Sequence, residues 1–324
     1  MRPSVRQRVW QSLISHKKKI TRAVWILVTL IAIAAIAYRL VQDWQEIQTY
    51  PWHLRWSSVL RAFGIFSVSI LLTFSVWLLI VRRLAAAQSL ATHARLFFVT
   101  NLARRLPTLI PYLGARMEAY ASHGLPREIT LSALTLEMVT TVIGATLVAF
   151  ITLPFGPFSA TLQQFPLPTL FLLIIPILLI LFPNWFFAAL NVVLVRLERP
   201  ALDVKVSRRD MLIWAVLFAA VWANGGVLYY YLAKSIYPMP SQALLVVMNA
   251  FAISGVAAWI GQFLFFMPTL ALRQLMLAYL LSLGEIPFSA AVAVALVGRL
   301  CVTVFELVWA LLSLGLSRLD PKVS

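Results

Sequence analysis

The chain has 324 residues, of which 61% are hydrophobic and 12% charged, with 27 Lys and Arg against 11 Asp and Glu for a net charge of +16. A soluble protein carries about twice that charged share, and a chain of mean hydropathy +0.88 lacks the polar groups to cover a water-facing surface. A soluble fold is excluded; the composition specifies an all-α polytopic integral membrane protein.

In chain order, residues 1-22 form a basic segment carrying Arg2, Arg6, Arg8, Lys17, Lys18, Lys19 and Arg22. A bilayer core of about 30 Å needs roughly 20 apolar residues in a helix. Ala23–Val41 is the first such run; it ends without a small-residue cleavage site and reads as an uncleaved anchor. Further spans are expected at Ser57–Val81, Ile129–Leu153, Pro168–Phe182, Met211–Leu232 and Phe288–Leu316. Asn184–Leu197 reads as a short helix on the membrane surface. Two apolar stretches, Leu84–Glu128 and Gln242–Pro287, are interrupted by Pro107, Pro111 and Gly114 in the first and by Gly255, Gly261, Pro268 and Gly284 in the second. Proline in an apolar helix frees a carbonyl that hydrocarbon cannot satisfy, so such breaks face protein or a watery cavity. Both stretches are therefore read as re-entrant or broken-helix hairpins, with Pro107, Pro111, Gly114 and Pro268 as hinges. The expected architecture is six full spans plus two hairpins in a single transmembrane domain, 23-316, followed by a short cytoplasmic tail, 317-324.

The charge sorts by position. Lys and Arg concentrate in the N-terminal segment, in Arg82–Arg105 and in Arg196–Arg209, whereas Pro154–Pro166 has no charge. The positive-inside rule makes the three basic stretches cytoplasmic, and walking the spans puts both termini there. Most of the +16 is thus explained by orientation and by anionic headgroups, which leaves no case for nucleic acid. Trp44, Trp52, Trp56 and Trp185 fall near span ends, as belt residues do.

The sparse residues exclude much chemistry. Cys301 is the single cysteine, so neither an intrachain disulfide nor a CxxC site is possible. The histidines His16, His53, His93 and His123 do not pair at metal-ligand spacing, the aspartates form no DxD, and no P-loop or dinucleotide fingerprint occurs. No enzyme activity, cofactor or metal is expected.

The two interrupted stretches share an order: Pro-Thr-Leu, an Arg with a polar partner, Gly then Pro, then a long helix with an internal acid. Pro107, Arg116, Glu118, Gly124, Pro126 and Glu137 are matched by Pro268, Arg273, Gln274, Gly284, Pro287 and Glu306. With one hairpin entering from the cytoplasm and the other from outside, this is the signature of an inverted repeat whose broken helices meet at a midplane site. Charges in hydrocarbon need a reason. One reading is a polar cavity in which Arg104, Arg105, Arg116, Arg273 and Arg299 bind a lipid phosphate, lined further by Asn101, Glu118, Glu137, Gln274 and Glu306. The other is structural ion pairing or snorkelling, which fits Arg82, Arg83 and Arg95 best. Asn224 and Asn249 add polar groups within spans. Tyr229, Tyr230 and Tyr231 read as an interfacial belt, and Gly225-Gly226 as a close helix crossing.

Asn101, Pro107, Gly114, Arg116 and Glu137, followed by Pro268, Arg273 and Arg299, resemble the motifs of the lysylphosphatidylglycerol synthase transmembrane family, also called flippase-like or UPF0104-like membrane proteins. The likeness covers most of the chain, with Thr269 and Leu270 where the family has glycines and Gln274 where it has an acid. The resemblance implies a multi-pass protein of a bacterial or archaeal cytoplasmic membrane that handles membrane lipids or lipid-linked glycans, without the soluble aminoacyl-transfer domain of the full synthases. The expected function is binding and translocation of an anionic phospholipid or a polyprenyl-phosphate-linked glycolipid. The alternative is a non-transporting subunit that anchors or regulates a cell-envelope glycosyltransferase. The sequence does not specify the oligomeric state.

Overall fold

The computed structural model describes residues 54–85, 88–105, 109–159, 164, 173–196, 206–265, 269–284 and 286–317. All of them belong to the compact unit Trp52–Ser324; the other unit, Met1–Pro51, lies outside the described residues, and with it the expected span Ala23–Val41. Ten α-helices occur among the described residues and no strand. They are α1 (Trp56–Leu84), α2 (Leu90–Asn101), α3 (Leu109–Ala121), α4 (Arg127–Thr152), α5 (Ile174–Leu181), α6 (Pro183–Arg196), α7 (Arg208–Ile236), α8 (Ala243–Phe265), α9 (Thr269–Ser282) and α10 (Phe288–Ser317).

Helices α1, α4, α7, α8 and α10 are long and apolar enough to cross a membrane. Their outward faces carry large apolar side chains, among them Leu60, Leu71, Leu212, Leu300, Val304 and Leu311, all exposed. In water such a surface would aggregate; in lipid it is the surface a spanning helix needs. The chain is a multi-pass membrane protein. The expected spans at Ser57–Val81, Ile129–Leu153, Met211–Leu232 and Phe288–Leu316 coincide with α1, α4, α7 and α10. Pro168–Phe182 is described only from residue 173, where α5 has 8 residues. The helix expected at Asn184–Leu197 is α6, with Trp185 exposed.

Helices α1 and α7 run antiparallel over their full length. Arg83 Nε meets Asp210 Oδ2 at 3.1 Å at one end, the Arg55 amide donates to Ser235 O at 2.9 Å at the other, and Asn224 Nδ2 donates to Ile65 O and Ser69 Oγ between them. Ser207 and Asp210 close α7 with a capping box. Helix α8 packs antiparallel against α7 at very short range. A Cβ on Gly226 would lie 2.6 Å from Met248 Cγ, and one on Gly225 2.5 Å from Phe251 Cε1, so the glycine pair does mark a close crossing. Asn249 Nδ2 ties α8 to the end of α4 through Ala149 O and Thr152 Oγ1. Asn224 and Asn249 thus both work as interhelical ties.

The two interrupted stretches are helical hairpins that enter the bundle from opposite ends. The first, α2–α3, starts and finishes beside the Arg83–Asp210 end, where Gln88 Nε2 donates to His123 O at 2.9 Å. Ser89 caps α2 by accepting from the Thr92 amide, and Gly124, at φ 84°, ends the turn after α3 while the Leu125 amide donates to Tyr120 O. At the tip, α2 tightens into a 3-10 turn, Leu102–Arg105, before α3 begins at Leu109. Twelve residues of α2 rise about 18 Å, roughly half a bilayer core. The second hairpin, α8–α9, starts and finishes at the Arg55–Ser235 end, where Gly284 abuts Val246. Its arms are unequal. Helix α9 has 14 residues, but α8 has 23 and reaches span length, so the expected pair of half-helices is instead one full-length helix and one short return. Gly255 and Gly261 sit inside α8 without breaking it. The interruption falls after Phe265; Pro268 lies outside the described residues.

Two expected hinges are corrected. Pro111 is the third residue of α3 and Gly114 the sixth, and both are helical. The first-turn amides of a helix have no intrahelical acceptor, so a proline there breaks nothing. The discontinuity lies before Leu109; Pro107 is outside the described residues.

Candidate functional site: a charged cavity between the two hairpins

A cavity of about 290 Å³ lies where the hairpin tips converge. Its wall takes Phe66, Ser69, Ile70 and Thr73 from the middle of α1, and Trp222, Gly225 and Tyr229 from α7. The first hairpin contributes Asn101, Arg104 and Tyr112; the second contributes Phe251, Arg273 and Gln274; α10 contributes Glu306. The cavity is therefore at mid-height in the bundle and shared by elements that enter from both sides.

Behind the wall of the first hairpin is a closed ionic network. Glu137 is 1% exposed and Arg116 0%. Arg104 Nη2 donates to Glu137 Oε1, while Arg116 Nη1 at 3.1 Å and the Tyr112 hydroxyl at 3.0 Å donate to Oε2. Arg116 also donates from Nε to Thr100 Oγ1 and from Nη2 to Phe97 O. Its guanidinium stacks within 4.4 to 4.8 Å of the Trp77, Phe97 and Tyr112 ring centroids, a cation–π cage that compensates part of its lost hydration. One carboxylate cannot neutralise two guanidiniums. The excess positive charge is expressed at Arg104, whose side chain is 31% exposed and lines the cavity. Arg104 also donates to the Tyr112 hydroxyl at 2.6 Å and lies over that ring.

The second hairpin presents its cation differently. The Arg273 guanidinium sits 4.5 Å from the Phe251 ring centroid and 5.2 Å from that of Trp222. Opposite, Glu306 Oε1 accepts from Asn101 Nδ2 at 3.2 Å, which joins α10 to the tip of α2. Phe98 stacks on Trp309 next to this bond, at 5.4 Å. The cavity is lined by cations from both hairpins, one carboxylate, two amides and an aromatic floor.

The structure thus brings together Asn101, Arg104, Arg273, Gln274 and Glu306 as cavity-lining residues, and Arg116 with Glu137 as the network behind them. It does not bring in three others. Glu118 is on the surface, paired with Arg127 at 2.6 Å with both side chains more than half exposed; the α3 helix turns it away from the face that carries Tyr112 and Arg116. Arg299 is half-buried two turns from Glu306, and the cavity wall does not include it. The Arg105 side chain is outside the described residues. Arg116 was expected to meet ligand directly; fully buried and bonded through all three nitrogens, it positions Glu137 instead. Tyr229, expected in an interfacial belt, is buried, packs its ring at a tilt against Phe251 at 4.8 Å and lines the cavity. Arg83, expected to snorkel, pairs with Asp210.

Sequence reasoning missed Tyr112, Thr100, Trp77, Phe97, Trp222 and Phe251. Tyr112 had a usable signal, because it precedes Arg116 by four residues and so shares its helical face. The others come from distant elements and carry no local mark. No protein-family model matches the chain, and no curated protein matches it.

Proposed function

We propose that the protein binds the phosphate of an anionic lipid in the mid-height cavity and translocates that lipid across a cytoplasmic membrane of a bacterium or archaeon. The observation that carries the reading is the pairing of Arg104 and Arg273 on one cavity wall, each from a hairpin that enters from a different end. Guanidinium is the side chain best matched to a phosphate, and a cation held at mid-height in lipid needs a function. Glu137 fixes Arg104 in place, so the site is organised before a ligand arrives.

In this reading the Arg83–Asp210 end faces the cytoplasm, both termini are cytoplasmic, and the two hairpins are an inverted repeat whose rocking alternates access to the cavity. The chain is a member of the flippase-like lysylphosphatidylglycerol synthase transmembrane family, and its substrate is an anionic phospholipid or a polyprenyl-phosphate-linked glycolipid. The ligand's chains stay in the bilayer while its headgroup occupies the cavity. A second reading, a non-transporting subunit that anchors or regulates a cell-envelope glycosyltransferase, is favoured by how fully Arg116 and Glu137 satisfy each other, since a structural strut needs no ligand.

The test is translocation in vesicles. Purified protein reconstituted in liposomes should move tail-labelled anionic lipid to the opposite leaflet, with Arg104→Ala and Arg273→Ala each slowing transfer at least about tenfold, the cost of one charge-assisted bond. Transfer no faster than in protein-free vesicles across phospholipids and polyprenyl phosphates would overturn translocation and leave the subunit reading.

A further inference from the structure

The cavity holds two groups that a phosphate cannot satisfy. Asn101 Oδ1 and Gln274 Oε1 are buried, and among the described residues neither has a hydrogen-bond partner. Asn101 is 5% exposed, and its orientation is fixed by its own Nδ2 donating to Glu306 Oε1. Buried amide oxygens are almost always paired, and each exception calls for an explanation. Of the four buried, unpaired side-chain atoms among the described residues, His93 Nε2 and Asn249 Oδ1 lie elsewhere, while these two belong to one cavity wall, one at the tip of the first hairpin and one on the return arm of the second. Both are acceptors. Phosphate oxygens are acceptors too and would gain nothing from them.

Resting on the phosphate-binding reading above, we propose that Asn101 and Gln274 form a second subsite for a hydrogen-bond donor, so that the ligand is a phospholipid whose small headgroup carries a hydroxyl or ammonium a few bonds from its phosphate. Arg104 and Arg273 take the phosphate; the two amide oxygens, with the Glu306 carboxylate beside Asn101, take the donor. Neither oxygen is open to the cavity as the side chains stand, and the broad terminal torsions of Asn and Gln let each turn onto a ligand donor, Asn101 giving up its bond to Glu306 as it does so. Because the two acceptors ride on different hairpins, a donor that bonds both links the hairpins, whereas a headgroup with no donor leaves both orphaned. A cavity of about 290 Å³ lies at the lower edge of the range that holds drug-sized ligands. That is room for a phosphate with a two- or three-carbon headgroup, whereas an oligosaccharide would extend beyond it. The subsite thus selects the phospholipid over the glycan-linked alternative.

The test compares lipids that differ only in the donor. Full-length protein in nanodiscs of phosphatidylcholine is titrated with phosphatidylglycerol, with phosphatidylpropanol (equal charge and nearly equal size, no headgroup hydroxyl), with phosphatidylethanolamine and its N-methylated series, and with a polyprenyl-phosphate disaccharide. Two bonds at about three- to tenfold each should make phosphatidylglycerol bind roughly tenfold or more tightly than phosphatidylpropanol, with affinity falling as methyl groups replace the ethanolamine protons. Asn101→Leu and Gln274→Leu should each erase most of that preference, lowering phosphatidylglycerol affinity severalfold more than phosphatidylpropanol affinity. Gln274→Glu keeps an acceptor and should retain the preference, which guards against a leucine variant that fails to fold. Equal affinity for phosphatidylglycerol and phosphatidylpropanol, with both weakened by Arg104→Ala, would overturn the donor subsite and leave phosphate binding standing. Tighter binding of the disaccharide lipid would overturn the size assignment. If no phosphate lipid binds and Arg104→Ala changes nothing, the phosphate reading falls and the subsite falls with it.

Discussion

The two hairpins reach the same cavity but are held by different forces. The first is locked by charge: Glu137 on α4 receives bonds from Arg104, Tyr112 and Arg116, and Arg116 is caged by Trp77 of α1. The second is seated by packing of α8 against Gly225 and Gly226 of α7 and by Arg273 over Phe251 and Trp222, with Asn249 tying α8 to α4. Interlocking charges have one good arrangement, because every displaced partner leaves a buried ion uncompensated. Small-residue helix contacts carry no buried charge, so a shift between the helices leaves no ion uncompensated. In the translocation reading proposed above, the difference casts the first hairpin as the fixed wall of the cavity and the second as the part that moves.

The largest effect is expected from Glu137→Ala. Removing one partner of a buried pair costs about 3–5 kcal/mol, and here two guanidiniums lose their shared carboxylate. The variant should lose most of its folded population on extraction in detergent, seen as aggregation by size-exclusion chromatography. Glu137→Gln keeps one acceptor oxygen at nearly the same volume but turns the other into a donor that faces donors, and should fall between. A variant as stable as the parent would show that the network does not lock the first hairpin.

Next comes Gly226→Val, aimed at the second hairpin. A Cβ there would meet Met248 Cγ at 2.6 Å and Met248 Cα at 2.7 Å. The backbone of α8 must shift, a change that costs about 1–3 kcal/mol. The thermal midpoint in detergent should drop less than for Glu137→Ala, but lipid transfer should slow, because the sliding contact has been wedged. Loss of stability with unchanged transfer would argue that α8–α9 is not the moving element.

Smaller still in stability is Arg104→Ala. Its side chain is 31% exposed toward the cavity, and Glu137 keeps Arg116 and Tyr112. About 1–2 kcal/mol of stability should go, near the value of one charge-assisted bond, while affinity for phosphatidylglycerol falls at least about tenfold. Arg116→Ala should show the converse, with large destabilisation and a lipid preference unchanged in whatever fraction folds. The contrast separates the residue that meets ligand from the one that positions it.

The fold was legible where hydropathy alone decides it. Four of the five long apolar helices fall on runs of apolar residues with ends close to those expected. The fifth, α8, was obscured because Gly255 and Gly261 looked like breaks, whereas both are helical and Gly255 admits Trp222 at close range. A glycine in an apolar run marks either a bend or a tight helix contact, and one sequence does not say which. The site was legible as a set of intramembrane charges, and Asn101, Arg104, Arg273, Gln274 and Glu306 do share a cavity. What could not be read was the division of labour. Arg104 and Arg116 look alike in sequence. Only the pairing of α3 with α4 makes one a buried strut and the other a cavity wall, and only the crossing of α7 with α8 gives Arg273 its aromatic seat.

The smallest effect is expected from Glu118→Ala, and it tests the comparison at its base. Glu118 lies one turn from the end of α3, near the mouth of the first hairpin, and pairs with Arg127 at the start of α4. The pair joins the same two helices as the buried network, α3 and α4. Its side chains are 68% and 62% exposed, so water and salt screen it, and such pairs contribute about 0–1 kcal/mol. If burial is what locks the first hairpin, Glu118→Ala should change the thermal midpoint by no more than a degree or two and leave lipid binding untouched. Two ion pairs between one pair of helices would then differ severalfold in effect because of their surroundings alone. A loss comparable to that of Glu137→Ala would mean that the hairpin is held at its mouth instead of at its tip.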